Sequence, residues 1–152
     1  MSRWMKRAAL SMTALLGLAA VAACGGGGGE PSSAGQAAAP AAEGKIEVTL
    51  TEWSMKPSAA AVKAGNVSFT VTNKGATPHE LAVVKTDLAA DKLPVVGAAV
   101  DEKALTILGR TANLDAGKSE TKAFELQPGK YILLCNLPAH YGQGLRAPVT
   151  VQ

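Results

Sequence analysis

Three residues in the second half of the chain carry side chains that could bind a transition metal. They are His79, Cys135 and His140, in a sequence that holds only two histidines and two cysteines. A thiolate suits Cu(I) and imidazole nitrogens suit Cu(II), and two histidines with one cysteine form the trigonal set that copper favours in electron-transfer sites. We therefore predict that these three residues bind one copper ion.

Other interpretations of the same residues are open at this point. A buried cysteine is often a small apolar core residue, and a single histidine can be structural. Zinc could use the same ligands, although one thiolate with two imidazoles is a less usual structural zinc set. Cys135 could also be a nucleophile activated by His140, but the sequence offers no orienting third group or oxyanion motif.

The elements that must position these residues are predicted to be short strands. Apolar and polar residues alternate in several segments, as in half-buried strands, and turn residues such as Pro128-Gly129 separate them. The clearest strands cover residues 46–51, 67–72, 81–85, 124–126, 131–135 and 149–151. Residues 87–104 fit a loop with one or two helical turns. Some seven short strands predict an all-β, Greek-key β-sandwich with a short, partly helical insertion.

The N-terminus has the pattern of an export signal. Arg3, Lys6 and Arg7 precede an apolar run that is too short for a comfortable membrane span, so residues 1–23 are predicted to be a signal peptide. The run ends in Val21-Ala22-Ala23-Cys24, which resembles the lipobox of bacterial lipoproteins. This resemblance implies that Cys24 is lipidated and becomes the mature N-terminus. An ordinary signal peptide with an incidental Cys24 is the alternative.

Composition separates a linker from the folded part. Residues 25–44 consist mainly of glycine and alanine, so residues 24–44 are predicted to be a lipidated cysteine with a flexible linker. The folded domain is predicted to cover residues 45–152. The net charge is +3, and the three basic residues of the signal account for this excess. We therefore expect no nucleic-acid partner.

The segments around the candidate ligands closely resemble the cupredoxins, the small blue copper proteins related to plastocyanin and sulfocyanin. The matching segments are GATPHE at 75–80 and CNLPAHYGQGL at 135–145, together with EWS at 52–54 and VKAG at 62–65. The resemblance extends over residues 45–152. It implies that His79, Cys135 and His140 bind one type 1 copper ion, and that the backbone N–H of Glu80 points at the Cys135 sulfur.

One position departs from the family pattern. Cupredoxins usually place a weak axial methionine five residues after the second histidine, and this chain has Leu145 there. Leucine cannot coordinate copper, so we expect a three-coordinate ion. Gln143 and Met55, the only methionine outside the signal, are the two alternative axial ligands.

Two surface features are also predicted around this site. Pro138, Tyr141 and Leu145 are expected to form an apolar surface around His140. The acidic residues of the insertion are expected to lie on a solvated loop face. These acidic residues are Asp91, Asp101 and Glu102.

The function predicted from these features is electron transfer. We expect a monomeric lipoprotein of the cell membrane or outer membrane, with its domain on the periplasmic or extracellular side, that carries single electrons between exported or membrane redox proteins. A copper chaperone or storage protein without electron transfer is the alternative. We do not expect an enzyme, because a substrate-binding second copper would need histidines that the chain lacks.

Overall fold

A computed structural model describes residues 41–152; the predicted signal peptide, Cys24 and the linker up to residue 40 lie outside the described residues. The elements, in chain order, are β1 (Lys45–Thr51), β2 (Ser54–Pro57), β3 (Ala61–Val62), β4 (Gly65–Asn73), β5 (Ala82–Lys85), β6 (Val95–Val96), β7 (Ala99–Val100), a 3-10 turn (Glu102–Ala104), β8 (Thr106–Arg110), β9 (Ser119–Leu126), β10 (Gly129–Leu134), α1 (His140–Gln143) and β11 (Arg146–Val151). Within residues 41–152, no helix is long and apolar enough to cross a membrane.

Most of the strands belong to two sheets that pack against one apolar core. The first sheet has the order β2-β1-β4-β9, and the second has the order β3-β11-β10-β5-β8. The pairs β1–β4 and β3–β11 are parallel, whereas the other pairs within these sheets are antiparallel. This architecture confirms the predicted all-β sandwich.

The main core follows from the alternation of side chains along the strands. Successive residues of a strand point to opposite faces, so every second residue of β1, β4 and β11 is directed into the sandwich, and apart from Asn73 at the end of β4 these residues are apolar. The inward residues of these three strands are Ile46, Val48, Leu50, Val67, Phe69, Val71, Ala147, Val149 and Val151. Cys135 and Leu145 belong to the same core, so the side chain of one predicted ligand lies in the apolar interior.

A second apolar cluster covers the opposite face of the second sheet. Val84 of β5 and Ile132 of β10 point into it, and Leu93 and Val100 from the insertion pack over them together with Tyr141. This coverage explains why β5 and β10 are apolar on both faces. It also joins the insertion to the helical turn that begins at His140.

Several local features differ from the sequence-based expectation. Residues 41–152 contain eleven strands where some seven were expected. Two of the strands that the sequence did not predict are β2, which ends at Pro57, and the edge strand β8. The insertion has the expected helical turn, but it also contains the hairpin β6–β7. Pairing already begins at Ala42, just before the predicted start of the domain, where the backbone bridges to Val62.

Candidate metal centre

Cys135 directly follows β10 at one end of the second sheet. Its backbone N–H donates to the Leu145 carbonyl at 3.0 Å, so the strand pairing of β10 and β11 continues to the cysteine. The Cys135 side chain is fully buried. The central strand therefore fixes both the position and the direction of the thiol.

His140 begins α1, the short helical turn that connects Cys135 to β11. The turn is closed by backbone hydrogen bonds from the His140 N–H to the Leu137 carbonyl at 3.0 Å and from the Leu145 N–H to the His140 carbonyl at 3.1 Å. Ala139 has a left-handed backbone with φ of 70°, which non-glycine residues adopt at a cost. This tight turn places the His140 ring beside the Cys135 sulfur.

His79 arrives from a different part of the chain, the loop between β4 and β5. It is held by a pair of backbone hydrogen bonds with Leu114, at 3.1 Å from the His79 N–H and 2.7 Å to its carbonyl. Its ring is fully buried. The strand pairing around Leu114 thus brings a distant histidine to the end of β10.

The ligand atoms of the three predicted residues all lie within 4.8 Å of one another. The two Nδ1 atoms of His79 and His140 are 3.2 Å apart, and Nδ1 of His140 is 3.4 Å from the Cys135 Sγ. Metal bonds of about 2.0–2.3 Å place three donors in one plane roughly 3.5–4 Å apart. The two separations are slightly shorter than this, and the His, Cys, His cluster is consistent with a type 1 copper site.

Burial prepares these side chains for metal binding. It lowers the pKa of His79, and the nearby His140 ring lowers it further, so the imidazole is kept in its neutral form with a free lone pair. Burial also raises the pKa of the Cys135 thiol. A metal ion that binds there must displace the thiol proton, and copper affinity will accordingly increase with pH.

The environment of the sulfur includes the predicted backbone donor. The Glu80 N–H lies 3.4 Å from the Cys135 Sγ, which confirms the expectation drawn from the family geometry. The Glu80 carboxylate is buried as well. It accepts from the Asn136 N–H at 3.2 Å and lies 3.4 Å from the Arg110 guanidinium. Glu80 thus ties the His79 segment to the residue that follows Cys135.

Glu102 is exposed, as predicted for a solvated loop face, but it also makes two contacts that the sequence did not predict. Its carboxylate lies 2.6 Å from Arg110 Nη2 and accepts from the Asn136 amide at 2.7 Å, because the fold brings the insertion against the end of β8. Asp101 instead caps the 3-10 turn, and Asp91 is an exposed loop residue as predicted. Glu102 therefore supports the loop after Cys135.

The structure places Leu145 and the two alternative axial ligands, Gln143 and Met55, in different surroundings. Leu145 is fully buried in the main core, in the same cluster as Cys135 and Met55. Gln143 is exposed and lines a surface groove with Gly97 and Ala98. Burial therefore favours Leu145 or Met55 over Gln143 as the residue that closes the site.

The predicted apolar surface around His140 is only partly correct. Pro138 is exposed, but Leu145 and Tyr141 are buried, and the Tyr141 hydroxyl donates to the Ala90 carbonyl inside the second cluster. The exposed apolar neighbour of His140 is Trp53. Its side chain is 49% exposed, and its ring lies edge-on to the His140 ring at 5.6 Å.

Sequence reasoning did not single out the polar residues that hold the His79 loop. Asn73 is fully buried and donates to the Thr77 and Leu114 carbonyls, both at 2.8 Å, while its Oδ1 accepts from the Gly75 N–H at 2.8 Å. The segment Asn73-Lys74-Gly75 could have predicted the bond from the Gly75 N–H, since an asparagine side chain commonly accepts from the N–H two residues later. The long-range bond to Leu114 has no such signal.

Comparison with known proteins agrees with this geometry. The family described as cupredoxin-like domain matches residues 32–145. The chain belongs to the cupredoxin-like family. No curated protein sequence matches it significantly.

Solved cupredoxin structures are similar in fold. Sodium-dithionite-reduced auracyanin from the photosynthetic bacterium Roseiflexus castenholzii is 26% identical, with a TM-score of 0.57 over 74% of this chain and 99% of auracyanin. Auracyanin B is 21% identical, with a TM-score of 0.51 over 76% of this chain and 93% of its own. Rusticyanin from Thiobacillus ferrooxidans is 15% identical, with a TM-score of 0.52 over 72% and 78%. The predicted family and cupredoxin-like fold are thereby confirmed.

Proposed function

We propose that this cupredoxin is a type 1 copper protein that carries single electrons between redox partners. The observation that carries the proposal is the buried Cys135 thiol, which shares one small space with the Nδ1 atoms of His79 and His140. When bound, copper supplies a one-electron couple to this site. The similar auracyanin structure is of a dithionite-reduced protein, which supports a redox role.

The burial of the ligands favours a site that keeps its metal. His79 and Cys135 are fully buried. His79 lies in the loop that follows β4 of the first sheet, and Cys135 follows β10 of the second sheet. A rigid donor set of this kind changes little between oxidation states, which suits electron transfer more than metal delivery. A copper chaperone would instead release the ion to an acceptor protein.

Electrons are proposed to enter and leave at the His140 edge. His140 is the one member of the three-ligand cluster that is not fully buried, and the exposed Trp53 ring lies against it. A partner that contacts this surface comes closer to the ligands than one bound anywhere along the strands. The partners are proposed to be exported or membrane redox proteins, and the protein is proposed to act as a monomer without an enzymatic reaction of its own.

The membrane tether is a proposal that rests on the sequence. The lipobox-like segment that ends at Cys24 supports lipidation, and residues 25–44 could connect the lipid to the domain with a root-mean-square reach of about 25 Å. A diacylglycerol anchor provides the two acyl chains that stable membrane binding needs. The protein would then be a lipoprotein of the cell membrane or outer membrane, with its domain on the periplasmic or extracellular side.

The two cysteines allow a matched test of these proposals. The Cys135→Ser variant, loaded with Cu(II), is expected to lack the intense thiolate-to-copper absorption band while it remains folded by circular dichroism. The Cys24→Ser variant is expected to keep the band but lose lipid labelling. A band that survives in Cys135→Ser would overturn the copper assignment, and unchanged labelling in Cys24→Ser would overturn the anchor.

A second measurement separates the carrier from the chaperone. The wild-type protein is expected to pass through repeated cycles of chemical reduction and reoxidation with all of its copper retained, in the presence of a competing Cu(I) chelator. Transfer of the copper to the chelator upon reduction would support the chaperone instead.

A further inference from the structure

A carboxylate lies beside the side of His79 that faces away from the other ligands. His79 Nδ1 is directed to His140, so its Nε2 is the remote nitrogen. That Nε2 lies 3.5 Å from the Thr77 hydroxyl oxygen and 3.9 Å from Oε1 of Glu52. The Thr77 hydroxyl lies in turn 3.4 Å from the same carboxylate oxygen. A chain of polar groups therefore connects the imidazole to Glu52.

The loop between β4 and β5 binds the Glu52 carboxylate through its backbone. The backbone N–H groups of Ala76 and Thr77 both donate to Glu52 Oε1, the latter at 3.0 Å. Gly75 leaves the space, since a Cβ atom at that position would lie 2.6 Å from Oε1. The carboxylate is thus fixed by three donors in a gap that only glycine provides.

The charge of Glu52 is maintained by the same contacts. The Thr77 and Ala76 N–H groups lower the pKa of the Glu52 carboxyl, so it is ionised at neutral pH. Its side chain is 36% exposed, which weakens its field by solvent screening but does not remove it, because the histidine that it faces is fully buried. The positively polarised Nε2–H of a neutral imidazole is the natural partner for such a group.

Histidines that bind metals usually donate the other ring N–H to a carboxylate, carbonyl or water, which fixes the tautomer and raises the basicity of the ligand nitrogen. We propose that Glu52, acting through the Thr77 hydroxyl, is a positioning residue that holds His79 as the Nε2–H tautomer and stabilises the oxidised copper state. This inference rests on the proposed copper function. A negative charge near a ligand favours Cu(II) over Cu(I), so Glu52 lowers the reduction potential of the site.

The test removes the negative charge of the Glu52 side chain but keeps its shape. Glu52→Gln retains an oxygen that can accept from the Ala76 and Thr77 N–H groups, whereas Glu43→Gln removes the same charge from an exposed residue that pairs with Lys63. We expect Glu52→Gln to raise the ratio of Cu(I) to Cu(II) affinity about tenfold, which is a potential rise of about 59 mV, and Glu43→Gln to leave it unchanged. An unchanged potential in Glu52→Gln would overturn the proposal, even if the variant is less stable.

A second readout needs no metal. In the apo protein, 15N chemical shifts of the His79 ring are expected to show the Nε2–H tautomer in the wild type, and a mixture of tautomers in Glu52→Gln and in Thr77→Val. The Thr77→Val variant keeps the carboxylate and its backbone contacts, so it also serves if Glu52→Gln fails to fold. Tautomers that do not differ among the three proteins would overturn the inference. Because this measurement is made without copper, it distinguishes failure of the Glu52 role from failure of copper binding.

Discussion

His79 and His140 reach the same site from two segments that are held in different ways. The segment that carries His79 follows β4 and depends on polar side chains, chiefly Asn73 and Glu52, which bind its backbone. The segment that carries His140 runs between β10 and β11. It depends on backbone hydrogen bonds that extend a strand pair, and on the burial of Leu145 and Tyr141.

This difference predicts different sensitivities to mutation. Removal of the buried Asn73 side chain leaves two backbone groups of the His79 loop without partners, and each buried unpaired group costs about 1–3 kcal/mol. The His140 turn is closed by backbone hydrogen bonds, and the Asn136 side chain beside it is only part-buried, so water can replace the partners that its loss removes. Its apolar residues are instead sensitive to changes in volume.

The largest effect is expected for Asn73→Ala. This change leaves the Thr77 carbonyl and the Gly75 N–H unpaired and removes one of the two donors to the Leu114 carbonyl, so we expect the free energy of unfolding of the apo protein to fall by about 3 kcal/mol. The matched variant is Asn136→Ala, whose side chain also makes three hydrogen bonds, to Val100 and Glu102. Because Asn136 is only part-buried, water can replace these bonds, and we expect a cost of about 1 kcal/mol. Chemical denaturation measures both values. An equal or larger loss for Asn136→Ala would contradict the comparison.

A smaller effect is expected for Tyr141→Phe. The Tyr141 hydroxyl donates to the Ala90 carbonyl at 2.8 Å and accepts from the Leu93 N–H at 3.0 Å, so its removal should cost about 1–2 kcal/mol. The aromatic ring stays buried, and the copper absorption band of the loaded protein should be unchanged. If the band is lost, the hydroxyl has a role in holding His140 that packing does not explain.

The smallest effect on folding is expected for Leu145→Met, which conserves volume and should change stability by less than about 1.5 kcal/mol. Its effect on the site should be clear, because a thioether stabilises Cu(II) whereas an apolar group does not. We expect the reduction potential to fall with the blue colour retained, and each tenfold change in the ratio of Cu(II) to Cu(I) affinity corresponds to about 59 mV. Potentiometric titration of both proteins gives the answer. An unchanged or higher potential would direct attention to Met55 as a hidden axial ligand.

The sequence by itself determined the donor set and most of the strands around it. Side-chain alternation is a local property, so β1, β4 and β11 could be predicted from residue types alone. Cys135 and His140 are close in the chain, and the short turn between them limits how far they can separate. With only two histidines in the chain, His79 was the remaining imidazole for a trigonal site.

Only the tertiary structure decided which polar groups surround these ligands. Glu52, Arg110 and Glu102 come from separate segments, and their contacts with the ligand loops arise where strand pairing brings those segments together. Tyr141 looked like a surface residue because nothing in its own neighbourhood predicts the insertion that covers it. Hydrophobic alternation specifies which face of a strand is buried, but contacts between polar side chains depend on register and loop geometry, which no local pattern of residues encodes.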